Sequence, residues 1–244
     1  MIIITRPSPY GEELLNCLKH AGLSARHIPL FTIEPSISIN NLQGKLDTLS
    51  EHDMVIAVSP QVINCLEQSA EPIQFPMALN YAAIGQKTAQ LLQKKIGQTV
   101  IYPSMDENSE ALLTLSALQK VAGKRILILR GNNGRELLAS ILQSRGAQVE
   151  YVECYQRRHI DYPAKEIQSW PKRATITMTN IDSLLRLNEL VTPSQRSLSK
   201  LVVTSPRIAN KARQLGWLNV IQVDSANNQI LFKMLVTLCH NGRV

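Results

Sequence analysis

Short runs of β-branched and apolar residues alternate with segments of helical period almost from one end of the chain to the other. The runs predict strands at Ile2–Thr5, Met54–Val58, Tyr81–Ile84, Val100–Tyr102, Arg125–Leu129, Thr175–Thr179, Leu201–Thr204 and Val220–Val223. Between them, apolar residues spaced i, i+3, i+4 and i+7 mark helices, with Leu14, Leu15 and Leu18 in one stripe and Leu137, Leu138, Ile141 and Leu142 in another. These stripes are core positions. The alternation predicts βα units around parallel sheets, an α/β fold. Most of the strands end in a small or polar residue, and open α/β sheets bind ligands outside the carboxyl ends of their strands.

The chain also repeats itself. Ile3–Glu34 aligns without a gap onto Leu127–Arg158, an offset of 124 residues, so that Ile4, Arg6, Glu12, Leu14, Leu18 and Gly22 meet Ile128, Arg130, Glu136, Leu138, Leu142 and Gly146. Met54–Glu67 repeats more weakly in Thr175–Asn188, and Tyr81–Val100 in Leu201–Val220. Two copies of one α/β unit are expected, with their segments in shuffled order. Both strand-turn-helix copies run on into stretches rich in β-formers, Ser24–Pro35 and Gln148–Asp161. If each is a long strand leaving one domain for the other, the two pair as a ribbon. The domains are then residues 1–32 plus 160–244, interrupted by residues 33–159.

Composition narrows the classes. With 44% hydrophobic and 18% charged residues the chain is globular, and 244 residues suffice for two domains. A net charge of +7 points to an anionic partner, whether nucleic acid, membrane surface or polyanionic small molecule. Aromatic residues at 5% are too few for base-stacking platforms, and the basic residues cluster only in pairs such as Lys94-Lys95 and Arg157-Arg158, so nucleic acid is not the expected partner. Cys17, Cys65, Cys154 and Cys239 lack metal-ligand spacing and are expected to be reduced and mostly buried. No apolar run approaches the roughly 18 residues of a membrane span. The sequence begins on a strand-like run without a basic leader, and the expected compartment is the cytoplasm.

Several strand ends carry candidate binding residues, each with a plainer structural alternative. Gly131-Asn132-Asn133-Gly134 follows a strand and precedes a helical segment; its N–H groups either cradle an anion or merely make a tight turn. It is neither a nucleotide P-loop nor GxGxxG. Arg130 and its repeat mate Arg6 either grip a carboxylate bidentately or, for Arg6 above all, serve an ion pair within their domain. Ser59 and Thr88, at the starts of helical segments, either cap a helix or bind a ligand. Tyr155 reads as a half-buried packing residue with a wet hydroxyl.

Ile4-Thr5-Arg6-Pro7 followed by Gly11-Glu12-Glu13-Leu14, then Ile84–Ala89 (IGQKTA), Leu127–Leu138 (LILRGNNGRELL), Glu153–Arg157 (ECYQR) and Thr204–Ala209 (TSPRIA) together resemble the uroporphyrinogen-III synthases. Each motif is weak alone, but five in order across the whole chain, with the shuffled repeat, are specific. The resemblance implies two similar α/β domains with parallel sheets flanked by helices, the first discontinuous, joined by a two-stranded β ribbon, and a substrate cleft. It implies cyclisation of hydroxymethylbilane to uroporphyrinogen III with inversion of ring D and loss of water, by a lyase of haem biosynthesis that uses no metal or organic cofactor. It makes Ser59 and Thr88 substrate-binding residues, with Asn180, Thr204, Ser205 and Arg207 as counterparts in the other domain, beside the candidates Arg6, Arg130, Gly131 and Asn132 read from the strand ends. There the chain departs from relatives with threonines, having Arg207 and Ile208. Tyr155 matches a cleft-facing tyrosine of the family, and its expected role is to assist departure of the substrate hydroxyl. The expected partner is a tetrapyrrole, with no nucleic acid and no membrane, and the expected state a monomer. A non-enzymatic anion-binding module is the competing class; incubation with hydroxymethylbilane separates the two.

Overall fold

The computed structural model describes residues 1–69, 72–132 and 134–240. Its chain divides into two compact units, one made of Met1–Thr32 with Arg158–Val244, the other of Ile33–Arg157. The strands run in chain order as β1 (Ile2–Ile4), β2 (Ala25–His27), β3 (Phe31–Pro35), β4 (Met54–Ala57), β5 (Asn80–Ala83), β6 (Arg125–Gly131), β7 (Gln148–His159), β8 (Thr175–Met178), β9 (Lys200–Val203) and β10 (Asn219–Gln222).

They form two five-stranded sheets, ordered β10-β9-β8-β1-β2 and β3-β7-β6-β4-β5. Every pair in the first sheet is parallel, as are β7-β6, β6-β4 and β4-β5 in the second. β3 and β7 are neighbours of opposite sense: Ser36 N–H donates to the Cys154 carbonyl at 3.0 Å while Ile160 N–H donates to that of Leu30 at 3.1 Å, so partners move in opposite directions. Each of these two strands crosses a unit boundary, and together they are the ribbon through which the chain passes.

Residues of alternate parity on each strand feed different cores, as the two-residue period of a strand requires. On β6, Ile126 and Ile128 pack with Leu138 and Leu142 of the helix Leu137–Ser144, whereas Leu127 and Leu129 pack with Val62, Ile63 and Leu92. In the first unit Ile3, Ile176 and Leu201 face Leu184, Ile208 and Trp217, while Ile2, Ile4 and Val202 face Leu14, Leu18, Leu231 and Leu235. Each sheet is therefore covered on both faces. Every such side chain contributes about 1.5–3 kcal/mol of burial free energy.

The shuffled repeat is visible in the sheets: read in space, β9-β8-β1-β2 corresponds to β5-β4-β6-β7. The equivalent helices Tyr10–His20 and Leu137–Ser144 end near glycines with matching left-handed backbone, Gly22 at φ +74° and Gly146 at φ +86°.

Some expectations need correction. Val100–Tyr102 is not a strand but a single bridge between Ile101 and Ala82, at the edge where the first sheet has β10. Ser24–Pro35 is not one strand; it breaks between β2 and β3 at Ile28-Pro29-Leu30. There the chain changes partners, Ile28 N–H bonding to Ile4 and the Leu30 carbonyl accepting from Ile160, and Pro29 has no N–H to continue a ladder. Cys17 is exposed, leaving Cys65 and Cys154 as the fully buried thiols.

Asp53 sets the relative register of β4 and β6 at their amino ends. Its carboxylate accepts from Ser50 N–H at 2.8 Å, Arg125 N–H at 2.8 Å and Arg125 Nε at 3.0 Å. Burial pushes its pKa up, but those backbone and guanidinium donors together hold it below the ordinary aspartate value. A depressed carboxylate stabilises the fold above its unfolded value of about 3.9 and ceases to do so as pH falls through the lowered folded value. Asp53→Asn is expected to cost about 1–3 kcal/mol near pH 7, the range for breaking a buried charged hydrogen bond. In denaturant melts the gap between wild type and variant should narrow below about pH 4; a gap that is constant with pH would remove this carboxylate from the account of acid stability.

Candidate functional site at the strand ends

Because the strands are parallel and the helices cross back over the sheet, successive helices begin just beyond strand carboxyl ends. Their first N–H groups lack intrahelical acceptors and carry partial positive charge. After β4, Ser59 caps the helix Pro60–Leu66, its Oγ accepting from Gln61 N–H at 3.2 Å. Asn180 after β8 caps Ile181–Leu190 by accepting from Ser183 N–H at 2.7 Å. Ser205 after β9 caps Pro206–Gln214 by accepting from Ile208 N–H at 3.3 Å. The capping alternative is thus realised at Ser59, its counterparts Asn180 and Ser205 cap in the same way, and each of the three remains only partly buried.

The helix Gln86–Ile96 differs. Its cap, Gly85, has no side chain, and the N–H of Gln86 donates at 2.9 Å to the carboxylate of Glu107. Thr88, one turn into this helix, is 2% exposed. Thr204, at the end of β9, is buried with its hydroxyl 3.5 Å from the Thr179 carbonyl, and Arg207 lies exposed on the first turn of its helix.

Around β6 and β7 the geometry departs from the sequence reading. Gly131 is the last residue of β6 rather than part of a turn, and the helix starts only at Leu137. Asn133 lies outside the described residues. The Asn132 N–H donates to the Tyr155 carbonyl at 3.0 Å, and its Oδ1 accepts from Arg157 N–H at 3.0 Å. Asn132 therefore ties the end of β6 to β7 with groups that the sequence reading assigned to an anion.

Arg130 is 8% exposed. Nη1 donates to Glu136 at 2.9 Å, Nη2 lies 3.8 Å from Glu153, and the guanidinium stacks 3.8 Å from the centre of the Tyr151 ring. The Tyr151 hydroxyl donates to the same Glu136 carboxylate at 2.8 Å. Burial, then this carboxylate, pushes the Tyr151 phenol up to about 12. Of the Arg130 guanidinium nitrogens, Nε is buried without a partner among the described residues. Arg6, its repeat mate, is engaged by neutral oxygens, donating from Nη1 to the Ala226 carbonyl at 2.8 Å and Asn228 Oδ1 at 2.5 Å. Burial lowers its guanidinium to about 10.

Tyr155 is 2% exposed, its ring part of the core that contains Val62, Leu127 and Leu129. Its Oη accepts from Arg157 Nη2 at 3.4 Å, which leaves the phenolic proton to be donated elsewhere. Gly131 makes room for it, since a Cβ there would run into the ring. Sequence reasoning missed Glu107, Arg157, Tyr151, Glu136 and Glu153 as neighbours of these groups. Only the ECYQR run hinted at Arg157 and Glu153; nothing local signals a contact spanning the 21 residues from Gln86 to Glu107.

Two α/β sheets, parallel apart from the β3-β7 pair, with polar caps at the helix starts beyond their strand ends, define a two-unit α/β protein. Comparison with known proteins makes the class specific. A family model described as uroporphyrinogen-III synthase HemD matches residues 12–233. The uroporphyrinogen-III synthase of Escherichia coli is 39% identical over 243 residues, covering 96% of this chain and 99% of that protein. That of Salmonella typhimurium is 40% identical over 244 residues, with the same coverage. Among solved structures, a mutant uroporphyrinogen III synthase from Thermus thermophilus superposes with a TM-score of 0.62 at 14% identity, covering 98% of both chains. The Helicobacter pylori uroporphyrinogen-III synthetase superposes with a TM-score of 0.61 at 12% identity, covering 97% of this chain and 98% of that one. The chain belongs to the uroporphyrinogen-III synthase family.

The packing of Gly131 against Tyr155 is testable by comparison with Gly134, where the nearest atoms to a Cβ would be those of the Arg130 side chain at 3.3 Å. Gly131→Ala is expected to destabilise by about 1–3 kcal/mol, as overpacking of a well-filled core does. Gly134→Ala should cost clearly less. Equal denaturation midpoints for the two variants would contradict the close approach.

Proposed function

We propose that this chain closes hydroxymethylbilane to uroporphyrinogen III, inverting ring D and releasing water, as a cyclising lyase of haem and related tetrapyrrole synthesis. The observation that carries the reading is the match to curated synthases at about 40% identity over nearly the full chain. The strand ends agree with it chemically. The substrate bears many carboxylates, and partly exposed polar caps at helix starts on a chain of net charge +7 suit such a ligand.

The reaction asks little of an acid or base. An electron-rich pyrrole expels the hydroxyl itself, giving an azafulvene, and a second pyrrole carbon attacks it. Selectivity lies in which carbon attacks; attack through the substituted carbon of ring D gives a spiro intermediate whose fragmentation and reclosure turn that ring round. Holding the chain in that geometry lowers the barrier by several kcal/mol, with about 7–11 as the upper range for well-oriented groups. Ser59, Thr88, Asn180, Thr204 and Ser205, with the backbone N–H groups beside them, hold carboxylates in this reading. Arg6, Arg130 and Asn132 act mainly by positioning, because their donors already serve the protein. Arg207, exposed on its helix, supplies a cation. Tyr155, with Arg157 behind its oxygen, donates to the departing hydroxyl.

Among the described residues no group of three or more His, Cys, Asp or Glu side chains is placed to hold a metal, and no helix is long and apolar enough to cross a membrane. The reading is of a cytoplasmic monomer acting on a small molecule, without metal, organic cofactor or nucleic acid.

Incubating the protein with hydroxymethylbilane and resolving the product isomers tests the function. Type III product in proportion to enzyme is expected, and only the spontaneous type I isomer would overturn it. Activity should survive a strong chelator, and affinity should weaken as salt rises, since attraction between carboxylates and a basic surface is screened over about 8–10 Å at physiological ionic strength. Tyr155→Phe should lower turnover roughly 10- to 100-fold without changing the isomer. An unchanged rate in a variant of unchanged melting temperature would return Tyr155 to packing alone.

A further inference from the structure

Strand β7 is irregular where it meets the end of β6. Arg130 pairs with Glu153, but the next residue, Gly131, pairs with Tyr155, so Cys154 is one residue too many and β7 bulges there. In a regular strand Cys154 and Tyr155 would face opposite sides of the sheet. Here Val152, Cys154 and Tyr155 all belong to one core, with Val62, Leu127 and Leu129. The bulge brings the Tyr155 ring to the face that Val152 and Cys154 already occupy, and Gly131 opposite it leaves the space.

Beyond the bulge the ladder does not resume with backbone alone. Asn132 N–H donates to the Tyr155 carbonyl at 3.0 Å, and Arg157 N–H, two residues on, donates to Asn132 Oδ1 at 3.0 Å. A strand residue in a parallel pair bonds in this way to the two residues flanking its partner, using its own N–H and its own carbonyl. At Asn132 the side-chain oxygen takes the carbonyl's part. The register is carried one step past Gly131, the last residue of β6, while the backbone of Asn132 enters a turn.

What that extra step holds is Arg157. By the two-residue period its side chain lies on the same side of β7 as that of Tyr155, with the guanidinium 5.7 Å from the ring centre and Nη2 donating to Oη at 3.4 Å. A phenolic oxygen that accepts from a guanidinium turns its own proton away from that donor.

We propose that Arg157 is a positioning residue for the cyclisation, acting through Tyr155: it directs the phenolic proton toward the departing hydroxyl, and the β7 bulge and the Asn132 side chain hold it in place. The inference rests on the role proposed above for Tyr155 and adds the device that orients it. Arg157 need not touch the substrate.

A double-substitution cycle separates this role from the others open to a cation. With hydroxymethylbilane as substrate, Arg157→Met should lower kcat about three- to tenfold, the rate equivalent of one modest hydrogen bond, and change KM less. Arg157→Lys keeps a donor on a similar stem and should lose less. In a Tyr155→Phe background no phenolic proton remains to be directed, and there Arg157→Met should change kcat by less than about twofold. Asn132→Ala should act as a weaker Arg157→Met, its loss also vanishing in the Tyr155→Phe background. Without substrate, protein carrying 13C at tyrosine Cζ should show one resonance that is absent in Tyr155→Phe and shifted in Arg157→Met. Equal factors for Arg157→Met in both backgrounds would overturn the proposal, and so would an unmoved resonance. An effect confined to KM would overturn it too, making Arg157 a contact for a substrate carboxylate. Tyr155→Phe of unchanged rate would instead remove the reading on which the proposal rests, and wild-type protein yielding only type I product would remove the function itself.

Discussion

A parallel strand cannot be joined to its neighbour by a tight turn, and that constraint organises everything else in this molecule. Each step from one strand to the next must cross the sheet, usually as a helix, and the sheet is buried on both faces as a result. The helix that follows a strand starts at that strand's carboxyl end, so unpaired N–H groups gather along one edge of each sheet. The partial positive charge of this edge comes before any particular side chain. Ser59, Asn180 and Ser205 refine it by capping, and the excess of cations adds a long-range attraction.

An edge that attracts carboxylates attracts the protein's own. Glu107 sits on one helix start, and Glu136 and Glu153 gather round the guanidinium of Arg130. Glu136 and Glu153 keep Arg130 electrically satisfied, since a buried guanidinium without a partner is costly. They also divide the polar groups near the strand ends into two kinds. Arg130 and Asn132 are locked into their own structure, holding β6 to its surroundings. The capping hydroxyls and amide are held by single bonds to N–H groups and stay partly exposed. In the proposed reading, orienting a flexible substrate draws on both kinds, a rigid frame and a set of accessible contacts.

The alternation of strand and helix was legible in the sequence because buried strands and amphipathic helices have different periods, and each leaves its own spacing of apolar residues. So was the permuted repeat, because Gly22 and Gly146 or Leu14 and Leu138 answer the same packing needs in equivalent places. The edges were less legible. Ile101 makes only one bridge, and Ser24–Pro35 changes partners at Pro29, and both outcomes depend on which strand lies alongside rather than on the residues themselves. The candidate site divides in the same manner. Serine and asparagine at the start of a helix declare a cap from a few residues of context, but whether Arg130 grips a ligand or a neighbouring glutamate depends on what the fold brings next to it.

By itself the sequence determined the class of fold, the repeat and, through five motifs in order, the family. All of these are properties of residues close in the chain or of their pattern along it. Only the tertiary structure decided that Tyr155 lies in a core against Gly131, that Asn132 binds β7, that Arg130 is held by Glu136 and Glu153, and that Glu107 covers the helix at Gly85. The reason is physical: a hydrogen bond or a close approach between distant residues depends on distances set by packing to fractions of an ångström, and no local spacing encodes them.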